Sequence, residues 1–241
     1  MRKLLVGAIA GAVMLAAAAI ALATTTTTYS QKYTTNKVKR SAGTIFKTSS
    51  IDPDNTSKNQ QPKKTRKLVI VFPAGTKIDQ GVKPYCKELK EAEDNPCPKN
   101  TKIGSGTAEV RLQFGGDDGI IPAKVTAYNR KKGLFLYVVP QAPGQAPVVI
   151  KPGFKGLKLI TNLKPLCVHP GQPPSCGANG EAVLTKFELT TKAFKKGKGK
   201  KTRYYERAPA TCPSKGWKFT GDWTYDDATT EHLESFQKCG K

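Results

Sequence analysis

The chain is 241 residues long and carries 40 Lys and Arg against 18 Asp and Glu, a formal net charge of +22. So basic a balance draws a protein toward polyanions but names no particular partner. Two histidines leave little supply for His-based catalysis, and six cysteines, an even number, favour paired disulfides.

At the N-terminus, Arg2 and Lys3 precede an uncharged stretch, 4–23, that closes on Ala21, Leu22 and Ala23. A positive start, an apolar middle and a small-x-small end are the marks of a secretory signal peptide over 1–23. Twenty apolar residues are also long enough for an uncleaved anchor. The expected location is therefore secreted or cell-surface, with a membrane-anchored form as the alternative. The residues after position 23 suffice for one large β domain.

Residues 24–31 form a Thr-rich tail, and weak alternation over 33–46 marks a candidate edge strand. Residues 47–67 are polar, Pro-containing and basic, which reads as a surface loop. A β-rich domain is expected over 67–241, with the 33–46 strand able to join it. Its first strand is the apolar run "KLVIVFPAG" (67–75), stopped by Pro73 and Gly75. "PYCKELKEAED" (84–94), with neighbouring Glu and Lys, is the best helix candidate and predicts one short helix.

Period-2 alternation follows. Ala108, Val110, Leu112 and Phe114 share one face over 107–114, and Ile121, Ala123, Val125 and Ala127 repeat the pattern after "GGDDG" (115–119). After "NRKKG" (129–133) comes "LFLYVV" (134–139), completing a β-meander. Further strands are expected near 148–160 and over 182–191. A last one, over 216–225, places Trp217, Phe219, Trp223 and Tyr225 on one face, with Gly221 relieving crowding between the two indoles. Strands at regular spacing, Gly/Pro punctuation and no βαβ rhythm predict an all-β, antiparallel β-sandwich.

The cysteines fall into three couples: Cys86 with Cys97, Cys167 with Cys176, and Cys212 with Cys239. In an oxidising compartment local pairing is the simplest of fifteen connectivities, each loop contributing roughly 2.5–4 kcal/mol. No Cys-x2-Cys spacing points to zinc.

"CPKNTKIGSGTAEV" (97–110) looks like a phosphate cradle, but Lys102 precedes Gly104 and Gly106 and a strand follows. A P-loop needs the reverse order and a helix. The glycines are therefore read as permitting a bend or bulge at the strand entrance. His169, near Ser175, and His232, near Asp226 and Asp227, are read as surface histidines, because no Gly-x-Ser-x-Gly elbow accompanies them. Asp117, Asp118, Asp226 and Asp227 sit where turns are expected, so turn chemistry accounts for them, and no metal or other cofactor is assigned. The sharpest charge feature is "KKGKGKKTRYYER" (195–207). There Lys195, Lys196, Lys198, Lys200, Lys201 and Arg203 precede Tyr204 and Tyr205. Two readings stand: a polyanion-binding strip with aromatic platforms, or a solvated hairpin tip whose lysines deter edge pairing.

Several elements together resemble a group of uncharacterised secreted actinobacterial proteins. They are Phe72-Pro73-Ala74-Gly75, Cys86, Cys97-Pro98 through Ile103-Gly104-Ser105-Gly106, Cys212-Pro213, Trp217-Lys218-Phe219 and Cys239. The resemblance implies an exported β-rich domain with Cys86–Cys97 and Cys212–Cys239 paired, and it brings no activity or ligand. The expected function is that of an exported, disulfide-stabilised, non-enzymatic protein of the cell envelope. Its basic surface would bind anionic envelope polymers or lipid headgroups. The alternatives are an envelope polysaccharide or ester hydrolase and an extracellular nucleic-acid-binding protein.

Overall fold

The computed structural model describes residues 25–51, 62–89, 97–111, 119–141, 146–167 and 181–240. The expected signal peptide over 1–23 and the expected Cys167–Cys176 pairing lie outside them. So do His169, Ser175, Asp117, Asp118 and the end of the strand expected over 107–114, Leu112 and Phe114.

In chain order the strands are β1 (Thr26–Tyr33), β2 (Thr44–Ile51), β3 (Thr65–Val71), β4 (Lys77–Ile78), β5 (Lys102–Arg111), β6 (Ile120–Arg130), β7 (Gly133–Pro140), β8 (Val148–Ile150) and β9 (Gly153–Lys155). They continue as β10 (Lys158–Asn162), β11 (Leu166–Cys167), β12 (Glu181–Thr191), β13 (Lys195–Lys196), β14 (Arg203–Tyr204), β15 (Glu206–Arg207), β16 (Trp217–Tyr225) and β17 (Thr230–Gln237). The expected all-β, antiparallel class is the one the chain adopts. The main sheet runs β1-β2-β12-β5-β6-β7-β9-β10-β3-β16-β17, with β8 on β7 and β11 on β12.

This sheet curls until its two ends meet, so opposite walls face one another as the layers of a sandwich do. At the seam, β1 and β17 are joined through side chains rather than a full backbone ladder. Ser235 Oγ accepts from the Gln31 N–H (3.0 Å) and donates to the Gln31 carbonyl (2.9 Å). Beyond it, backbone bonds link Val38 and Asn36 to Gly240.

The core follows from the alternation. Trp217, Phe219, Trp223 and Tyr225 are buried along β16, and Ala123, Val125 and Ala127 along β6. Tyr33 stacks edge-on against Trp217 and Phe219 at centroid distances of 5.3 and 4.9 Å. β7 is buried on both faces, as an uninterrupted apolar run requires. Leu134, Leu136 and Val138 face the interior. Phe135 and Tyr137 face outward with Tyr128, beneath a loop that carries Cys86, Leu89 and Cys97.

Glycines appear where backbones crowd. A Cβ at Gly106 would lie 1.8 Å from the Glu188 carbonyl of β12, and one at Gly104 would lie 2.5 Å from that of Thr190. The register of β5 against β6 shifts between Lys102 and Gly104, so a bulge at Ile103 opens the strand and the Gly-Ser-Gly stretch that follows pairs regularly, its glycines admitting the close approach of β12.

Three details differ from the expectations. Residues 24–31, expected as a tail before the domain, join the sheet as part of β1, whose alternate residues Thr27, Gln31 and Tyr33 are buried. Over 33–46 the chain ends β1, crosses a turn with Lys39 at φ 58° and begins β2 at Thr44. The third concerns the helix expected over 84–94, since 84–89 carry none and 90–94 lie outside the described residues. Local Glu/Lys pairs are weak, and this backbone is already held. The Asn129 amide donates to the carbonyls of Gln80, Lys83 and Pro84, and the Cys86 N–H donates to the Asn129 carbonyl.

Two disulfides close the expected local loops, Cys86–Cys97 and Cys212–Cys239. Such bonds belong to an oxidising compartment. Among the described residues no helix is long and apolar enough to cross a membrane.

Candidate functional site

The basic run folds as a hairpin. Lys195 pairs with Tyr204 and Lys196 with Arg203, and the connection is tightened by Gly197 at φ 91° and Gly199 at φ 55°. Positive φ at both positions is what makes glycine necessary there. Lys195, Lys196, Lys198, Lys200 and Lys201 all stand exposed.

The other members of the run have different neighbours. Arg203 grips Asp79 with two hydrogen bonds of 2.7 Å, a fork-on-carboxylate pair whose hydrogen bonds hold the Asp79 carboxyl below its usual range. Tyr205 does not offer a stacking platform. It is buried, with its hydroxyl donating to Asn129 Oδ1 at 3.0 Å. Tyr204 is half-buried beside Arg207, whose guanidinium lies 5.6 Å from its ring.

Tertiary structure brings more cations to this end. β15 pairs with β4, setting Arg207 against Lys77. Arg207 Nε donates to the Lys39 carbonyl, and the Ala208 N–H donates to that of Arg40, which holds the Lys39–Arg40 turn alongside. Lys83 places its ammonium 4.4 Å above the Phe194 ring, and partial burial lowers its pKa. The residues 37–40, "KVKR", signal local basicity, but nothing in the order of residues says that they join the hairpin.

Among the described residues of these segments, Asp79 and Glu206 carry carboxyls. Arg203 occupies the first. The second is buried, accepts from the Thr44 hydroxyl at 2.7 Å, and is pushed up to about 7 by burial. Glu206 therefore offers little compensating charge to its surroundings below about pH 7.

Two residues beyond Lys83 a groove opens, lined by Tyr85, Lys87, Glu88, Arg130, Lys131 and Lys151 among others. Its floor includes Phe135, with Arg130 5.3 Å and Lys151 6.0 Å from the ring. The arrangement continues the basic surface away from the hairpin.

The other sequence candidates separate from this end. His232 is exposed on the β16–β17 pair and meets Asp222 at 2.5 Å. That hydrogen bond raises the imidazole pKa. Asp227 is a turn residue, accepting from the Thr229 N–H and hydroxyl and pairing with Lys63, as turn chemistry predicted. Asp226 accepts from the Lys64 N–H.

The chain matches no protein-family model, no curated protein and no solved structure.

Proposed function

We propose that this is an exported, non-enzymatic binding protein whose basic end associates with anionic polymers of the cell envelope. One observation carries the reading. Lys39, Arg40, Lys77, Lys83 and Arg207 converge on the Lys195–Lys201 hairpin, while the carboxyls of the same segments are taken by Arg203 or buried at Glu206. Uncompensated charge of one sign attracts a flexible polyanion and gives binding that weakens steeply with salt. A second feature supports a binding role over catalysis, in that Asp79, Asp227 and His232 are engaged in ion pairs or turns.

The test is retention on a resin carrying lipoteichoic acid. A variant with Lys195, Lys196, Lys198, Lys200 and Lys201 all changed to Ala should elute at clearly lower salt than the parent. Equal elution removes the hairpin from the site. Retention on a DNA resin that exceeds that on lipoteichoic acid at matched salt favours nucleic acid as the partner.

A further inference from the structure

The sheet closes around an internal cavity of about 120 Å3. Ile70, Phe72, Leu136, Phe154, Leu159 and Leu189 form much of its wall. The lining runs along β12 from Leu184 to Thr191, roughly 23 Å of strand. A void of that volume spread over that length is narrow, with room for one unbranched file of atoms. Polar side chains also line it, and at the Thr191 end Glu206 and Thr44 are joined by a 2.7 Å hydrogen bond from the Thr44 hydroxyl to the Glu206 carboxyl.

We propose that this cavity binds a single unbranched alkyl chain ending in one uncharged oxygen, as in a fatty alcohol. The oxygen would sit between Glu206 and Thr44, and the chain would lie along β12. This site is separate from the basic surface and does not rest on it.

The physical case begins with the walls. An empty apolar void leaves its lining without dispersion partners. Apolar cavities of comparable size, about 150 Å3, stay dry and admit small apolar molecules. An alkyl chain restores the missing contacts and needs no hydrogen bonds along its length.

The polar end selects the head group. Burial pushes the Glu206 carboxyl up to about 7, so at mildly acid pH it keeps its proton and can donate to a ligand oxygen. The Thr44 hydroxyl already donates to its Oε1. Of the other polar lining residues, Tyr205 donates to Asn129 and the Lys186 ammonium turns to Glu109 and Glu188. No cation is left in the void to meet a ligand carboxylate, and a ligand ammonium would need Glu206 ionised in an apolar setting.

Trp223 lines the same cavity and serves as the reporter. Full-length oxidised protein at pH 6 is titrated with 1-decanol, followed by indole emission and by calorimetry. Saturable one-to-one binding is expected, weakened at least tenfold by Glu206→Leu and weakened also by Leu136→Phe, which narrows the void. A signal that never saturates overturns the proposal, as does decylammonium binding more tightly than 1-decanol. Because overfilling can unfold a protein, a second measurement uses the unaltered chain. Crystals soaked in 10-bromo-1-decanol should show the bromine by anomalous scattering near Phe187, inside the sheet. Bromine found only on the outer surface rejects the site.

Discussion

Gln237 stands in for a neighbouring strand at Tyr33. Its side-chain Oε1 accepts from the Tyr33 N–H at 2.7 Å, while its Nε2 donates to the Tyr33 carbonyl at 3.1 Å and to that of Thr35 at 3.0 Å. One side-chain amide thus satisfies both backbone groups of a residue whose own side chain is buried in the core. The sheet closes at β1 and β17 by this means, and Ser235 repeats it at Gln31.

The seam should be sensitive to the loss of that amide. Gln237→Ala removes three hydrogen bonds and should cost about 1–3 kcal/mol, because partly buried backbone groups lose their partners. Urea denaturation measures the cost, and hydrogen exchange at Tyr33 should speed up. An unchanged midpoint with unchanged protection would show that the seam is held by packing alone.

Glu206 should make the fold weaken as pH rises. Burial raises its folded pKa to about 7 from the ordinary value of 4.5. Its stabilising contribution is therefore complete below the unfolded value, is lost progressively between about 4.5 and 7, and levels off above. The loss amounts to about 3 kcal/mol. Asp79 and Asp227, held low by their partners, act in the opposite sense and at more acid pH. His232, with its pKa raised, loses its contribution as pH rises through its folded value. Urea midpoints at pH 4.5 and 7.5 should differ less for Glu206→Gln than for the parent. An identical drop in both proteins would clear Glu206 of responsibility.

The disulfides close loops of different length, with sequence separations of 11 and 27. Replacing Cys212 and Cys239 together by Ser should cost about 3–4 kcal/mol, and replacing Cys86 and Cys97 nearer 2.5–3 kcal/mol, if loop entropy dominates. Peptide mapping of unreduced protein should yield both pairs. A Cys86–Cys212 peptide would contradict the connectivity.

Gly221 is fixed by its neighbour. A Cβ there would lie 2.4 Å from the Trp223 ring, so Gly221→Ala should cost about 1–3 kcal/mol by overpacking. Gly119→Ala, where nothing lies within 4 Å, serves as the control and should stay within about 0.5 kcal/mol. Near-ultraviolet circular dichroism should change for the first variant alone.

Much of the scaffold was legible in the residues. The inward faces of β6 and β16 follow from alternation alone, since side chains two apart share a face whatever lies opposite. The crowding at Gly221 followed likewise, because Trp223 lies two positions away on the same face. The missing helix over 84–89 was not legible, since the groups that hold that backbone belong to Asn129, some forty residues on. The basic surface was half legible. The hairpin lysines were evident as a run, whereas Lys77 and Arg207 meet only because β4 pairs with β15.

The residue order by itself determined the all-β class, the strand faces and the local pairing proposed for Cys86–Cys97 and Cys212–Cys239. These depend on spacing along the chain, which the sequence states directly. Tertiary structure alone decided that the Thr-rich segment becomes β1, that Gln237 and Ser235 seal the sheet, and that Glu206 is buried in the cavity wall. Each of those outcomes depends on which distant strand lies alongside, a relation no local pattern encodes.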